Sequence, residues 1–201
     1  MSNTTTGPDG IQRCRWSEAA PEFLHYHDTE WGYPVADDRR LFEKLCLESF
    51  QSGLSWRTIL VKRENFRAAF ANFEFDEVAR FNQQDIDRFL QDKGIVRHRG
   101  KIEAVINNAA RAQELVKSEG SIAAYVWKYE PNADDLAEPQ TASASSESIA
   151  MAKDLKKRGW KFVGPTTIYA FMQAMGLAND HAKGCVMRAK AELARKEFDK
   201  P

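Results

Sequence analysis

A mainly α-helical fold is what this chain predicts, and three observations carry that expectation. Apolar residues recur at helical offsets in successive segments, first Leu41, Phe42, Leu45, Cys46 and Phe50, then Ile59, Leu60, Phe66, Ala69, Phe70 and Phe73. No strand-type alternation persists over four residues, and no repeat is visible. Between Gln84 and Lys117 a helix, a glycine-bounded basic turn and a second helix follow one another, which is the outline of a helix-hairpin-helix.

The 201 residues are enough for one domain with a real core. Its body is expected over 11–188, after a polar, disordered tail at 1–10 and before a charged extension at 189–201. Lys and Arg number 29 and so do Asp and Glu, so the molecule has no overall basic field and must meet an anionic partner with a local patch. No run approaches the roughly 18 apolar residues of a membrane span, and the first ten residues lack the apolar centre of a signal peptide. Three cysteines are too few for a disulfide framework, which fits a reducing compartment, and the expected setting is the cytoplasm. Nothing resembles a large apolar interface, and a monomer is expected.

In chain order, Gln12 to Tyr33 concentrates Cys14, Trp16, Phe23, His25, Tyr26, His27, Trp31 and Tyr33 in little more than twenty residues. Pro21 followed by Glu22 to Asp28 predicts a short helix, and Asp37 and Asp38 announce the next. On that helix, at about 100° per residue, Glu48 falls beside the stripe that holds Leu41 and Leu45, while Glu43 and Lys44 project to the solvated side. A carboxylate at the edge of apolar surface loses water, so either it reaches back to solvent or it has a partner to meet. Gly53 breaks the helix, and Leu54-Ser55-Trp56 forms an apolar turn. The pattern is helical from Thr58 to Phe73, and two short helices open at Phe75-Asp76 and Gln84-Asp85. Gly94 to Gly100, with Arg97, His98 and Arg99, forms the basic turn, and Lys101 starts a helix to Lys117. Residues 131–148, with one Leu and no aromatic, read as a mobile loop. A basic helix over Ile149–Arg158 and a buried one over Ile168–Met175 complete the chain.

Cys14 and His27 stand twelve residues apart and His181 and Cys185 three apart, the second pair placed on one face of a helical turn. Two thiols and two imidazoles suit a closed tetrahedral zinc site, which would be structural and would staple the two ends of the chain. Unrelated small apolar cysteines with hydrogen-bonded histidines account for the same spacing, and His25 competes as a ligand. Trp16, Tyr26, Trp31 and Trp56 are core aromatics or the walls of a slot for a planar ring. Such a slot, with a carboxylate in it, favours a flat cation. The clusters Arg97-His98-Arg99-Gly100-Lys101 and Lys153 to Lys161 are solvated faces or phosphate contacts.

These segments resemble one known family. Cys14-Arg-Trp16, YHDTEWG at 26–32, CLESFQSGLSW at 46–56, GIVRHRGKI at 94–102, LKKRGWKFVGPTTIYAFMQAMGLANDH at 155–181 and Cys185 are similar, in order, to DNA-3-methyladenine glycosylase I. The resemblance implies an all-α helix-hairpin-helix DNA glycosylase fold with a structural zinc joining the terminal regions. It implies base-excision repair: a base of alkylated double-stranded DNA is flipped out, and free 3-methyladenine is released by hydrolysis, leaving an abasic site with no strand cleavage. By motif, Cys14, His27, His181 and Cys185 would hold Zn2+. Glu48 would be the catalytic carboxylate that holds the base, Trp56 would stack on it, and Trp16, Phe23, Tyr26 and Trp31 would complete the pocket. Gly53 and Leu54 would approach the gap left in the duplex, while Gly94, Arg97, Arg99, Gly100 and Lys101 would meet the phosphates. The chain departs from the family pattern at Phe23, where Tyr is frequent, and at Phe50, where a smaller or polar residue is. The alternative is a protein of the same fold that binds alkylated DNA without cutting it. A catalytic-zinc hydrolase would instead need an open coordination position.

Overall fold

The computed structural model describes residues 3–132 and 135–201. Eleven helices are named here: α1 Pro21–Thr29, α2 Asp38–Gln51, α3 Trp56–Leu60, α4 Arg63–Ala69, α5 Phe75–Val78, α6 Gln83–Gln91, α7 Arg99–Glu119, α8 Ile122–Val126, α9 Ser146–Lys157, α10 Pro165–Ala174 and α11 Val186–Glu197. The mainly helical expectation holds. The 1–10 tail does not: Thr4–Thr6 (β1) pairs antiparallel with Gln12–Cys14 (β2), Thr4 opposite Cys14. Arg13 pins this hairpin by donating to both Asp9 and Asp28. Side-chain anchoring of a short ladder is what the strand-propensity reading could not see.

Helix α2 is the centre of the molecule. Asp37 caps it by accepting from Arg40 N at 2.8 Å, as the sequence signals. It packs against α3, α7, α8 and α10, and Leu41 through Phe50 are buried without a break. The expectation that Glu43 and Lys44 face solvent is therefore wrong. A helix surrounded on all sides has no solvated side, so its charges must find internal partners. Glu43 pairs with Arg67 at 2.7 Å, and Lys44 with Glu48 at 3.0 Å.

The 58–73 stretch is broken into α3, α4 and a 3-10 turn at Ala71–Phe73, whose three residues all have positive φ. Packing of Phe66, Phe70 and Phe73 holds that turn; Phe50 joins them, its ring 4.6 Å from Phe66. This aromatic cluster is why a large residue fits at position 50.

Helix α9 begins earlier than expected, at a Ser145–Ser148 capping box. Within the loop before it, Gln140 N donates to Asp180 Oδ1 at 2.9 Å; Ala133 and Asp134 lie outside the described residues. The expected 189–201 extension is mostly α11, which buries Met187 and Ala191, and Phe198 then meets Trp127 at 4.7 Å. Among the described residues no helix is long and apolar enough to cross a membrane.

Candidate functional site

Five of the residues singled out in the sequence line one cleft. Trp16, Tyr26, Trp31, Glu48 and Trp56, with Gln51, Ala170 and Gln173, enclose a space of 200 Å³. Each is placed by a different local device. Trp16 lies on the 3-10 turn Arg15–Glu18, Tyr26 on α1, and Trp31 on the turn that ends it. Glu48 and Gln51 come from the last turns of α2 and Ala170 and Gln173 from α10. Trp56 is the first residue of α3, and Ser55 caps that helix by accepting from Thr58 N at 3.2 Å. The Gly53 turn, at φ 78, folds the chain back so that Trp56 rejoins Glu48. Phe23 does not line the cleft; its ring braces the edge of Trp16 at 5.8 Å.

Glu48 is 5% exposed, and its partner is Lys44, one helical turn earlier. The Lys44 ammonium also donates to the Tyr26 hydroxyl at 2.6 Å and lies 3.6 Å from the centre of the Trp56 ring. Burial holds it below the ordinary lysine value, against the attraction of Glu48. Burial likewise pushes the Tyr26 hydroxyl well up, with the Glu48 charge adding to it. Trp56 Nε1 is buried without an acceptor among the described residues. Sequence reasoning missed Lys44, Gln51, Ala170 and Gln173. The offset of Lys44 from Glu48 was the one available signal.

Behind the cleft, Cys14, His27 and Cys185 bring their ligand atoms within 4.8 Å of one another. His181 adjoins them, its ring 5.2 Å from that of His27. His181 and Cys185 are not on a helical turn, as the spacing suggests, but on the loop between α10 and α11, with Cys185 as the residue before α11. The donor set fits a metal on two further counts. His27 Nδ1 is bonded to Asp28 Oδ1 at 2.7 Å and His181 Nδ1 to Asn179 Oδ1 at 2.9 Å, so each ring turns its Nε2 towards the cluster, that of His27 lying 3.6 Å from Cys185 Sγ. His181 Nε2 is also buried with no partner. A hydrogen bond from Cys14, with further help from His27, holds the Cys185 thiol low against burial; Cys14 is pushed up by the same contact. Burial lowers the His181 imidazole to about 4, keeping it neutral as a ligand must be. His25 is exposed on the far side of α1 and bonded to Thr29, so it does not compete. This Cys–His cluster touches the cleft wall directly, with Trp16 5.2 Å from His27 and Trp31 4.6 Å from His181.

The outer rim carries the remaining candidates. Gly53 and Leu54 are exposed on the turn after α2, Leu54 at 40%. Between α6 and α7, Asp92 Oδ1 accepts from Gly94 N at 2.7 Å and shapes the turn, and the N–H groups of Val96 and Arg97 have no acceptor among the described residues. Arg99 and Gly100 open α7, so their N–H groups lack intrahelical acceptors. Arg97 is exposed and makes no ion pair among the described residues, whereas Arg99 is shared between Asp87 and Glu103. Lys101 does not face outward: its buried ammonium donates to the carbonyls of Phe50 and Ser52. In the second basic cluster Arg158 is held by Asp154 and Glu119.

Comparison with known proteins sets this geometry in context. Residues 16–189 match the family model described as methyladenine glycosylase. The chain is 45% identical over 179 residues to DNA-3-methyladenine glycosylase 1 of Escherichia coli, covering 87% of this chain and 96% of that protein. It is similar to a crystal structure of 3-methyladenine DNA glycosylase I with a TM-score of 0.81 and 46% identity, over 87% of this chain and 98% of that one. The Staphylococcus aureus 3-methyladenine DNA glycosylase I, in a structure concerned with 3-methyladenine recognition, has a TM-score of 0.82 and 38% identity over 88% of this chain and 96% of its own.

Proposed function

The chain belongs to the methyladenine glycosylase family, and on that premise we propose that the cleft between α1, α2, α3 and α10 takes the flipped base. The reaction is hydrolytic removal of 3-methyladenine from alkylated DNA, the first step of base-excision repair. The observation that carries the site assignment is the convergence of Glu48 with four aromatic side chains on one cleft.

A purine alkylated on a ring nitrogen is cationic and already a good leaving group, so acid catalysis is a small part of the task. Extruding a nucleotide costs a few kcal/mol, less for a damaged base. Leu54, exposed on a turn that Lys101 ties down, is suited to fill the gap left in the stack. Arg97 and the free N–H groups at the start of α7 are suited to the phosphates. Inside, Trp16, Tyr26, Trp31 and Trp56 exclude water and grip a planar ring, and Glu48 accepts hydrogen bonds from its polar edge. The C1′–N bond then breaks with both electrons passing to the base. A water adds to the oxocarbenium-like sugar and loses its proton, leaving the abasic site.

Cys14, His27, His181 and Cys185 would hold a structural Zn2+, which when bound supplies folding energy and takes no part in the reaction. The chain's own contribution there is to fix Trp16 and Trp31 against the two imidazoles. The protein acts as a monomer in the cytoplasm. The test is release of 3-methyladenine from methylated DNA by the wild type and by Glu48→Gln. Release by the wild type, reduced about a hundredfold in the variant, is expected. No release by the wild type would leave only an alkylated-DNA-binding protein, and an undiminished rate in the variant would remove Glu48 from the site.

A further inference from the structure

The cleft proposed for a cationic base already has a cation directly behind its wall. Lys44 Nζ lies 3.0 Å from Glu48 Oε1, 2.6 Å from the Tyr26 hydroxyl and 3.6 Å from the centre of the Trp56 ring. These are the carboxylate and the aromatic ring that a bound purinium would meet from the cleft side. Lys44 does not line the cleft. It sits directly behind the wall that Tyr26 and Trp56 form, facing a 40 Å³ cavity on the other side of that wall. Around that cavity Glu30 pairs with Arg63 at 2.5 Å and Glu43 with Arg67 at 2.7 Å, while Arg40 completes the rim. With those pairs matched to one another, Glu48 is the carboxylate in direct contact with Lys44, and the charges of Glu30 and Arg63 act on it more weakly and in opposite directions.

We propose that Lys44 is a positioning residue that fills the cation site of Glu48 and Trp56 from within the protein, so that the pocket favours the neutral free base over the cationic base still joined to DNA. The inference rests on the cleft being the base site. Its physical content is a charge balance. Before cleavage the alkylated purine carries +1 and must share Glu48 with an ammonium group. When the C1′–N bond breaks, both electrons go to the base, which becomes neutral, and the positive charge moves to the sugar, farther from Lys44. A fixed positive charge beside the base therefore costs the bound cation more than it costs the transition state. A cation already held against Trp56 from behind the wall also makes the ring's cation-π attraction weaker for a second cation on the cleft side. Selectivity for the lesion then rests on ring shape, hydrogen bonding to Glu48 and the weakness of its glycosidic bond more than on net charge.

Two planar probes separate the possibilities: neutral 3-methyladenine and the permanently cationic 3,9-dimethyladeninium, both titrated at one pH against the full chain. In Lys44→Met the preference for the cation over the neutral base is expected to rise about tenfold, because a unit charge a few ångströms away has been removed in a poorly screened site. Lys44→Arg is expected to restore the wild-type ratio. In single-turnover release from lesion-bearing DNA, Lys44→Met should bind DNA at least as tightly as the wild type but release base more slowly. If Lys44→Met does not fold, Lys44→Gln is read by the same ratio. A ratio unchanged, or both probes weakened alike, would mean that Lys44 is only structural and would overturn the proposal. If instead Glu48→Gln and Trp56→Ala both leave 3-methyladenine binding at the wild-type level, the cleft is not the base site, and both readings fall together.

Discussion

Lys101 donates to the Ser52 carbonyl at 2.6 Å and to that of Phe50 at 2.8 Å, so the helix after the basic turn is tied to the last turn of the helix that carries Glu48. Carbonyls at a helix C-terminus have no intrahelical donor, and a cation is the favoured partner there. This link ties the Gly53–Leu54 turn, which leads to Trp56 in the cleft wall, to the first turn of α7.

Removing that link is expected to be costly. Lys101→Met leaves buried carbonyls unsatisfied and should lower stability by about 2 kcal/mol. It should also weaken binding of lesion-bearing DNA, because the turn before Trp56 loses its anchor. Urea unfolding, followed by DNA titration at a temperature where the variant is folded, checks both. Unchanged stability would show that the ammonium group is not needed as a cap.

Leu54→Ala should do the opposite. Its side chain is 40% exposed and packs little, so stability should stay within about 0.5 kcal/mol of the wild type. Affinity for free 3-methyladenine should also be unchanged, while base release from duplex DNA should fall about tenfold, by the loss of a few contacts that stand in for stacking. Equal loss on free base and duplex would place Leu54 in the pocket rather than the duplex.

The proposed zinc site offers a variant that removes none of its candidate ligands. A Cβ on Gly32 would lie 2.5 Å from His181 Cε1, and Gly32 has φ 86. Gly32→Ala should therefore push His181 out of place and reduce bound zinc, as Cys185→Ser should by losing a ligand. Both are expected to melt earlier, with metal content falling more steeply than activity per folded molecule. Full zinc occupancy in Cys185→Ser would refute the assignment.

Acid stability should report on Glu30 and Arg63. Burial alone would raise the Glu30 carboxyl, but two hydrogen bonds from Arg63 and its charge bring it below its ordinary 4.5. The folded chain then takes up this proton at lower pH than the unfolded chain does. The pair's contribution is complete above the ordinary value and is lost as the pH falls through the lower, folded one. Glu30→Gln should be less stable near neutrality and show a shallower loss of stability on acidification below 4.5. Parallel curves for variant and wild type would contradict this.

Much of this molecule can be read from local pattern. The cap at Asp37, the proline that opens α1 and the break at Gly53 are decided within a few residues, and the structure has them where the pattern puts them. The clustering of Cys14, Trp16, Tyr26, His27 and Trp31 in one short stretch was likewise a sign of the site they build. The helical wheel misjudged α2, because it assumes one solvated side and α2 has none.

What the sequence by itself determined is the mainly helical class, several of the helices with their caps, and which residue types were available for chemistry, since these follow from periodicity and backbone conformation; α8, α11 and the break within 58–73 depend on packing. Only the tertiary structure decided which charges meet. It turned Lys101 inward to Ser52, placed Lys44 against Glu48 and Trp56, and closed Cys14 onto Cys185. Those contacts join residues whose partners are chosen by packing. A buried charge takes the counter-charge or carbonyl that the surrounding helices bring within reach, and no local pattern records which one that is.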